Sequence, residues 1–485
     1  MIYLWVVGLY LVFLIAVSVF RSRAVKTQDD FMVAGRNVPW HLLVGTLVCT
    51  WIGSGSLFGG AGRAFREGFS ALWISAGAWV GIVVVYFLAG RVRRIAQYTV
   101  PDILEMRYHP AARLLGTMAI IIAYLTIASY QFIGGGRLLT ILNPDIDPAA
   151  GKAIICLLVV LYTVMAGMMS IVAVDVFNGI IILVSILIAA PLALEGAGGW
   201  TQLTDTLPDT HFTTFGRLGI LPAFGLFLPA MLLLLGESSM YQKFFSAKNE
   251  ASARKAVIGM ILGVVLVEVL LVSTAVFGAG MYWNDPAMVG AGATFSPAQQ
   301  KASETILLTL ARFNLPPIAG CLLLAGAVAI VFSTANTFLM VPSTNLARDV
   351  YQRFVNPNVS EKRIILFQRV MIVALALVAY VVSSFFVSIL DMALYAYTMV
   401  GAAVTPALLA AFLWKRVTPA GGVASIAAGM LVTIVFGLLN TLGVTELDYD
   451  YIIYPAGGAS LFFLIGVSLL TPPSAEAKWK PFMNE

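Results

Sequence analysis

Apolar runs of roughly 20 residues recur from one end of this 485-residue chain to the other. A run of that length crosses about 30 Å of hydrocarbon as a helix, and a helix satisfies its backbone groups within itself, as lipid requires. Composition agrees, because 60% of the residues are hydrophobic and only 11% are charged. We therefore predict an all-α polytopic membrane protein whose partner is the lipid bilayer.

The positions of the runs predict about thirteen transmembrane helices. They lie near 2–20, 41–61, 69–90, 112–136, 152–170, 173–195, 217–236, 255–280, 316–340, 364–386, 390–414, 420–440 and 452–471.

Lysine and arginine are concentrated in alternate loops, by roughly three to one. Because basic loops stay in the cytoplasm, we expect an outside N-terminus and a cytoplasmic C-terminus, in the plasma (inner) membrane. The first apolar run is followed rather than preceded by basic residues, so it is predicted to be a retained helix and not a signal peptide. The net charge of +5 reflects this topology, and no nucleic-acid partner is expected.

The chemistry-bearing motifs of enzymes do not occur in the chain. The three cysteines lie in apolar runs without a CxxC pair, and the three histidines are scattered. Neither HExxH nor a GxSxG-like elbow is present. We expect no enzymatic activity, no cofactor and no metal other than a coupling ion.

Two apolar runs are interrupted by residues that weaken a helix. Residues 49–65 read CTWIGSGSLFGGAGRAF, and each interior glycine costs about 1 kcal/mol relative to alanine. The seventh run contains LLLLGESSMYQKFF. Paired interruptions five helices apart are typical of transporters with inverted repeats, although small residues also let membrane helices pack closely. The predicted organisation is one transmembrane domain over 1–485, with repeats at about 41–195 and 217–414 and flanking helices at 2–20, 420–440 and 452–471.

The ninth run, AVAIVFSTANTFLMVPSTNLARDVY, is rich in hydroxyl groups. Hydroxyls together with freed backbone carbonyls are the hard oxygen ligands that a sodium ion prefers. The alternative is that these Ser and Thr side chains bond back to their own helix, which is common in membrane spans.

Several motifs resemble those of the sodium:solute symporter family. STANTFLMVPSTNLARDVY is similar to its STADSxLLxxSTxxxxDIY signature, and LYTVMAGMMSIVAVDVFNG to its YTxxGGxxAVxxTDxxQ segment. DDFMVAGRNVPW, YTVPDILEMRY, QFIGGGRLL and YQKFFSAKNEASARKA follow in the family's order. The departures from the patterns are Ala166, Ser170, Val174, Asn178 and Asn336, and they put a second ion site in doubt.

The resemblance implies a LeuT-type fold of five plus five helices and the sodium-coupled import of a small organic solute by alternating access. It also implies a sodium site. The ligands carried over are the carbonyls of Cys49, Ile52 and Ile330 and the hydroxyls of Ser333 and Thr334. Asp175 matches an acidic residue that serves a second ion or the inner gate in some relatives. The alternative for Asp175 is a surface carboxylate at a helix start.

The solute is less well defined by the sequence. CTWIGSG is similar to the ATWVGGG stretch of high-affinity choline transporters, whereas QFIGGGRLL and LFGGAGRAFREG resemble sodium:pantothenate carriers. A tryptophan and two carboxylates within apolar runs favour a cationic or amine-bearing solute. The residues predicted to bind it are Trp51, Trp73, Glu237, Glu268, Tyr397 and Thr398.

Other interpretations of these residues stay open. The sequence is also compatible with Trp51 as a packing residue. It is equally compatible with Glu237 paired with Lys243 or capping a broken helix, and with Glu268 neutral or paired with Arg137. The alternative solutes are pantothenate and a neutral amino acid such as proline. A sodium-selective channel is the remaining alternative.

Overall fold

Long apolar helices make up nearly all of the structure, a computed structural model that describes residues 2–23, 25–95, 97–385, 388–445 and 447–483. Numbered along the chain, the helices are α1 (Ile2–Ser22), α2 (Gln28–Val33), α3 (Trp40–Trp51), α4 (Ala61–Glu67), α5 (Leu72–Ile95), α6 (Val100–Arg107), α7 (Pro110–Leu142), α8 (Pro148–Gly196), α9 (Gly199–Thr206), α10 (Ile220–Gly236), α11 (Ser238–Ser246), α12 (Glu250–Tyr282), α13 (Pro297–Ser303), α14 (Ile306–Thr309), α15 (Pro317–Asn345), α16 (Glu361–Val382), α17 (Ile389–Ala403), α18 (Thr405–Leu413), α19 (Pro419–Thr441), α20 (Ile453–Leu470) and α21 (Glu476–Trp479).

The helices begin where the sequence supplies caps. Asp147 accepts hydrogen bonds from the amides at the start of α8, and Pro148 occupies the first helical position, where no amide is needed. Thr99 and Asp102 form a capping box at α6, and Asn249 caps α12. Local sequence therefore fixes where these helices begin.

Twelve helical stretches of the described chain are long and apolar enough to cross a membrane. One of them, Gly55–Ile95, turns at Gly68, whose φ of +71° favours glycine. A Cβ there would also lie 2.2 Å from the backbone of His211. Divided at Gly68, and with the short apolar helix α3 joined to the segment after it, the described chain has the predicted thirteen helical crossings.

The boundary predicted between the fifth and sixth helices is wrong in one respect. Two helices are present, as the predicted ranges 152–170 and 173–195 require, but they meet at Gly167 within α8 and not between residues 170 and 173. Gly167 has φ 60° and ψ 173°, and a Cβ would lie 2.8 Å from the ring of Phe31. Asp175 therefore lies inside the second half of α8, and the alternative of a surface carboxylate at a helix start is excluded.

Two helices form the centre of the bundle. In α15 and in the α17–α18 stretch, 89% of the most apolar window is buried, against 28% in α1. The most strongly packed helix pair is α15 with α8. The hydroxyl-rich motif of α15 thus lies in the protein interior, where its polar groups need partners from neighbouring helices.

Candidate functional site

The first broken helix opens between α3 and the segment that follows it. α3 ends at Trp51, Ile52 is extended with φ −78° and ψ 102°, and a π-helical segment covers Gly55–Gly60. A Cβ on Gly53 would lie 2.9 Å from Nε2 of Gln131 and 3.0 Å from Cγ2 of Thr334, so the close approach requires glycine. The amide of Ser54 donates to Oε1 of Gln131 at 3.0 Å. The lost helical bonds are therefore met partly by side chains from α7 and α15.

Freed carbonyls and a hydroxyl converge at this break. Oγ1 of Thr334 lies 3.1 Å from the carbonyl oxygen of Ile52 and 3.4 Å from that of Cys49. Ile330 lies one turn before Thr334 on α15, and all four residues are buried. The structure thus places the carbonyl oxygens of Cys49 and Ile52 beside the hydroxyl of Thr334. The carbonyl of Ile330 as a ligand and the ion assignment itself stay predictions.

Ser333, the fifth predicted ligand, bonds to an acidic residue. Its hydroxyl donates to Oδ1 of Asp175 at 2.5 Å, and the hydroxyl of Thr46 donates to Oδ2 at 2.5 Å. Asp175 is 1% exposed, so a hydroxyl from α3 and one from α15 supply polar partners that solvent cannot. The carboxylate therefore lies directly beside the predicted sodium position.

Lys243 joins the same cluster from α11, a contact that sequence reasoning missed. Its Nζ donates to the carbonyl oxygen of Thr46 at 3.0 Å and lies 3.9 Å from Oδ2 of Asp175. The sequence also allows Glu237 as its partner, but the acid within 4 Å of its ammonium is Asp175. The YQKFFSAKNEASARKA motif contains this lysine, but nothing local indicates which acid it faces.

At the second broken helix, polar groups bond to side chains of residues close by in the sequence. α10 ends at Gly236, Glu237 is extended with φ −70° and ψ 106°, and α11 begins at Ser238. Oε1 of Glu237 accepts a hydrogen bond from the hydroxyl of Ser239 at 2.5 Å. The hydroxyl of Tyr241 donates to the carbonyl oxygen of Leu235 at 2.8 Å. The amide of Ser239 donates to the hydroxyl of Tyr124 on α7 at 3.1 Å, so residues of the break and one residue of a neighbouring helix supply the polar partners.

A small cavity adjoins the first break. Its volume is about 20 Å³, which is enough for about one water molecule. Glu268 is the acidic group of its lining: Oε1 accepts from the indole of Trp51 at 2.8 Å and Oε2 from the indole of Trp79 at 3.1 Å. Ser56 contributes a longer contact of 3.4 Å, and the ring of Tyr397 lies 6.1 Å from that of Trp51.

Three residues predicted to bind the solute do not line this cavity. Glu237 bonds to Ser239 in the second break, and Thr398 is buried on α17 with no hydrogen-bond partner for its hydroxyl among the described residues. Trp73 packs on Phe215 and donates to the carbonyl oxygen of Thr214. The structure thus corrects the expectation that these residues share a pocket with Trp51, Glu268 and Tyr397.

Helical geometry explains why Trp73 lies away from the cavity. Ser75 lines the cavity and Trp79 follows it by one turn of α5, whereas Trp73 lies about 200° around the helix from Ser75. Trp79, the indole donor to Glu268, was missed by the sequence analysis. The four-residue spacing from Ser75 to Trp79 was the available signal for it.

A wide polar vestibule lies above the cavity on the face predicted to be external. Its volume is about 920 Å³, and Arg63, Arg66 and Asp391 are among the residues that line it. Leu390 and Leu394 line both the vestibule and the small cavity. Two leucines on α17 therefore lie between the open space and Glu268.

The opposite face, which is predicted to be cytoplasmic, is held by ion pairs. Arg113 on α7 contacts Asp102, Glu105 and Asp349, the last at 2.8 Å, and so links α6 to the segment after α15. Burial opposes ionisation of Glu105, but the guanidinium groups of Arg353 and Arg113 hold the pKa of this carboxyl below its usual value. These ion pairs link α6, α7 and the segment after α15, and so favour a closed protein at this face.

These features define a class of protein: a helical membrane transporter with two interrupted helices around a central polar site. The profile of the sodium:solute symporter family matches residues 31–429. The chain therefore belongs to this family, and its activity is the sodium-coupled transport of a small solute.

Related proteins agree with this assignment. A sodium/proline symporter of Staphylococcus aureus is 24% identical over 448 residues, covering 89% of this chain and 84% of the relative. The same protein of Staphylococcus aureus strain COL is 24% identical over 449 residues, covering 89% and 85%.

The solved structures establish the fold. A sodium-coupled sialic acid symporter, in a substrate-bound outward-open state, superposes with a TM-score of 0.81 over 98% of both chains at 17% identity. A nucleobase-cation-symport-1 family transporter in a closed conformation gives a TM-score of 0.57 over 93% of this chain and 97% of that chain, at 13% identity. The predicted LeuT-type fold is confirmed, while the repeat boundaries at 41–195 and 217–414 stay a prediction.

Proposed function

We propose that this chain imports a small amine-bearing organic solute together with sodium across the plasma membrane, with its N-terminus outside. The sodium is held by the carbonyls of Cys49, Ile52 and Ile330 and by the hydroxyls of Ser333 and Thr334. The amine is held by Glu268. The transport is secondary active, so the solute is moved unchanged and no cofactor takes part.

One observation carries the proposal: both predicted binding positions are built on the same three residues of the first break. The carbonyls of Cys49 and Ile52 face Thr334, and Trp51 between them donates to Glu268 at 2.8 Å. A sodium ion that fixes the two carbonyls also restricts Trp51. Ion binding therefore orders the solute pocket, which is a differential contact of the kind that coupling requires.

The chemistry of the cavity favours a positively charged group. Two indole N–H groups orient the Glu268 carboxylate, and no Lys or Arg is among the described residues that line the cavity. A carboxylate within a membrane span costs about 2.5–3.5 kcal/mol on insertion scales, so a role beyond packing is expected. An ammonium group of the solute neutralises it, and the rings of Trp51 and Tyr397 add cation–π attraction.

Proline is the specific solute that the relatives suggest. The matched relatives are named sodium/proline symporters, and proline carries a secondary amine for Glu268. Its carboxylate requires a cation, which the neighbouring sodium supplies. Pantothenate is less favoured, because its carboxylate would face Glu268 without an amine to offset the repulsion.

One sodium ion is sufficient to drive such import. A membrane potential of 100 mV is worth about 2.3 kcal/mol per charge, and a tenfold sodium gradient adds about 1.4 kcal/mol. Together they sustain about a 500-fold gradient of a solute without net charge, such as proline.

The test is electrical. The purified protein is reconstituted in liposomes, and transient currents are recorded for proline, choline and pantothenate, each with sodium and with potassium. We expect a current that requires sodium together with proline or choline. A pantothenate-only current would overturn the amine assignment, and a steady current with sodium alone would identify a channel.

A further inference from the structure

A fully buried lysine lies beside the proposed sodium position. Lys243 is 0% exposed, donates to the carbonyl oxygen of Thr46 at 3.0 Å and lies 3.9 Å from Oδ2 of Asp175. It comes from α11, the second broken helix, whereas Thr46 is on α3, the first broken helix. The ammonium therefore links the two broken helices directly and also lies beside Asp175 of α8.

The oxygens around Asp175 are of the type that a hard cation prefers. The two carboxylate oxygens, the hydroxyls of Ser333 and Thr46, and the carbonyl oxygen of Thr46 lie together in a site without solvent access. With these ligands alone, the cluster would be a plausible place for a second sodium ion. The charge that the structure places there is instead the Lys243 ammonium.

We propose that Lys243 is the resident cation of this second position, so that the protein couples transport to one sodium ion and not two. The inference rests on the proposed function and specifies its ion coupling. A sodium ion on Asp175 would share one carboxylate with the ammonium, which lies 3.9 Å from Oδ2, and like charges in a buried site of low dielectric repel strongly. Because the lysine is part of the chain, its charge is not released with the solute.

The pair also prepares Ser333 for the transported ion. The Ser333 hydroxyl donates a hydrogen bond to Asp175 at 2.5 Å. Its lone pairs therefore stay available to a sodium ion at Thr334 and the helix break. The nearby ammonium of Lys243 favours the charged, accepting form of Asp175. Lys243 and Asp175 are thus positioning residues for the sodium site, comparable to the outer-shell partners of metal ligands.

The test counts bound sodium and needs no knowledge of the solute. Purified full-length protein in a potassium buffer is titrated with radioactive sodium, and the number of ions bound per chain and the Hill coefficient are measured. We expect one saturable sodium per chain with a Hill coefficient near one. Two ions per chain would overturn the inference, and no saturable binding would remove the proposed function itself.

A variant tests the lysine directly. Lys243→Met keeps the length of the side chain and removes the charge, so a folded Lys243→Met protein should bind twice as much sodium with a Hill coefficient above one. The matched control is Lys243→Met with Asp175→Asn, which removes both charges and should return to one ion, bound more weakly than in the wild type because Ser333 loses its charged partner. Folded Lys243→Met protein that still binds one ion would overturn the inference. If that variant does not fold, the wild-type count decides.

Discussion

The two broken helices look alike in sequence, but their polar groups are satisfied differently. At the first break, the carbonyls of Cys49 and Ile52 face a single hydroxyl on α15, at 3.4 Å and 3.1 Å. At the second, the carbonyl of Leu235 accepts a 2.8 Å bond from Tyr241 six residues later, and Glu237 accepts one from Ser239.

This difference assigns different roles to the two breaks. At the first break, two carbonyls and a hydroxyl from another helix present several oxygens to one ion. At the second break, the hydroxyls of Tyr241, Ser239 and Tyr124 already bond to the polar groups. The first break is therefore suited to binding, and the second to holding Lys243 and the helix ends in place. An interruption in a membrane helix thus indicates a function only when its freed groups point to a shared space.

The largest expected effect tests the first break. Ser333→Ala with Thr334→Ala should lower the apparent sodium affinity of transport by about 100-fold or more. Loss of even an outer-shell partner of an ion site lowers ion affinity by about 10–100-fold. Sodium titration of solute uptake measures it. The control is Ser343→Ala with Thr344→Ala, whose hydroxyls bond to the carbonyl of Met340 at 2.7 Å and 2.9 Å and to the side-chain amide of Gln368, away from the first break. Normal sodium stimulation in the first variant would refute the ion assignment.

The next effect compares the carboxylates of the cavity and of the second break. Glu268→Gln should weaken an amine-bearing solute by about 10–100-fold, because hydrogen bonds to charged groups are worth about 1.5–3 kcal/mol. Glu237→Gln should change solute affinity by less than about threefold, since Glu237 does not line the cavity. Concentration dependence of the sodium-coupled current gives both values. Equal losses in the two variants would mean that both carboxylates reach the solute.

A smaller effect concerns the shape of the first break. Gly53→Ala places a Cβ 2.9 Å from Nε2 of Gln131 and 3.0 Å from Cγ2 of Thr334, so sodium affinity should fall by about tenfold. Gly60→Ala, with its nearest contact at 3.6 Å, is the matched control and should retain sodium affinity. If both variants bind sodium normally, the close approach at Gly53 does not shape the ion site.

The smallest effect on transport is expected at the second break. Tyr241→Phe leaves the buried carbonyl of Leu235 without its partner and should lower stability by about 1–3 kcal/mol, with little change in sodium affinity. Thermal unfolding in detergent measures the change. Tyr454→Phe is the control, because its hydroxyl bonds to the carbonyl of Leu221 at an exposed position. A loss of sodium binding in Tyr241→Phe would mean that the second break also takes part in ion binding.

Much of the fold could be predicted because its causes are local. The length of each apolar run gives a helix, and the glycines of 49–65 give the break. The family motifs indicated which oxygens meet at the first break, since they mark both the break and the hydroxyls of α15, while the sodium site itself stays a prediction. The solute residues were harder. Trp51, Glu268 and Tyr397 share a cavity, but Trp73 turns away from it and Trp79 was missed.

The sequence by itself determined the membrane class, the thirteen crossings, the two interruptions and the family. The first three follow from hydrophobicity and backbone geometry, which act over one or two helical turns, and the family follows from its motifs. Only the tertiary structure decided which acid Lys243 faces, that Asp175 lies beside Ser333, and that Glu268 is held by two indoles. Lys243 and Asp175 are 68 positions apart in the chain, and Trp51 and Glu268 are 217 apart. Only the packing of helices against one another sets which of their faces meet.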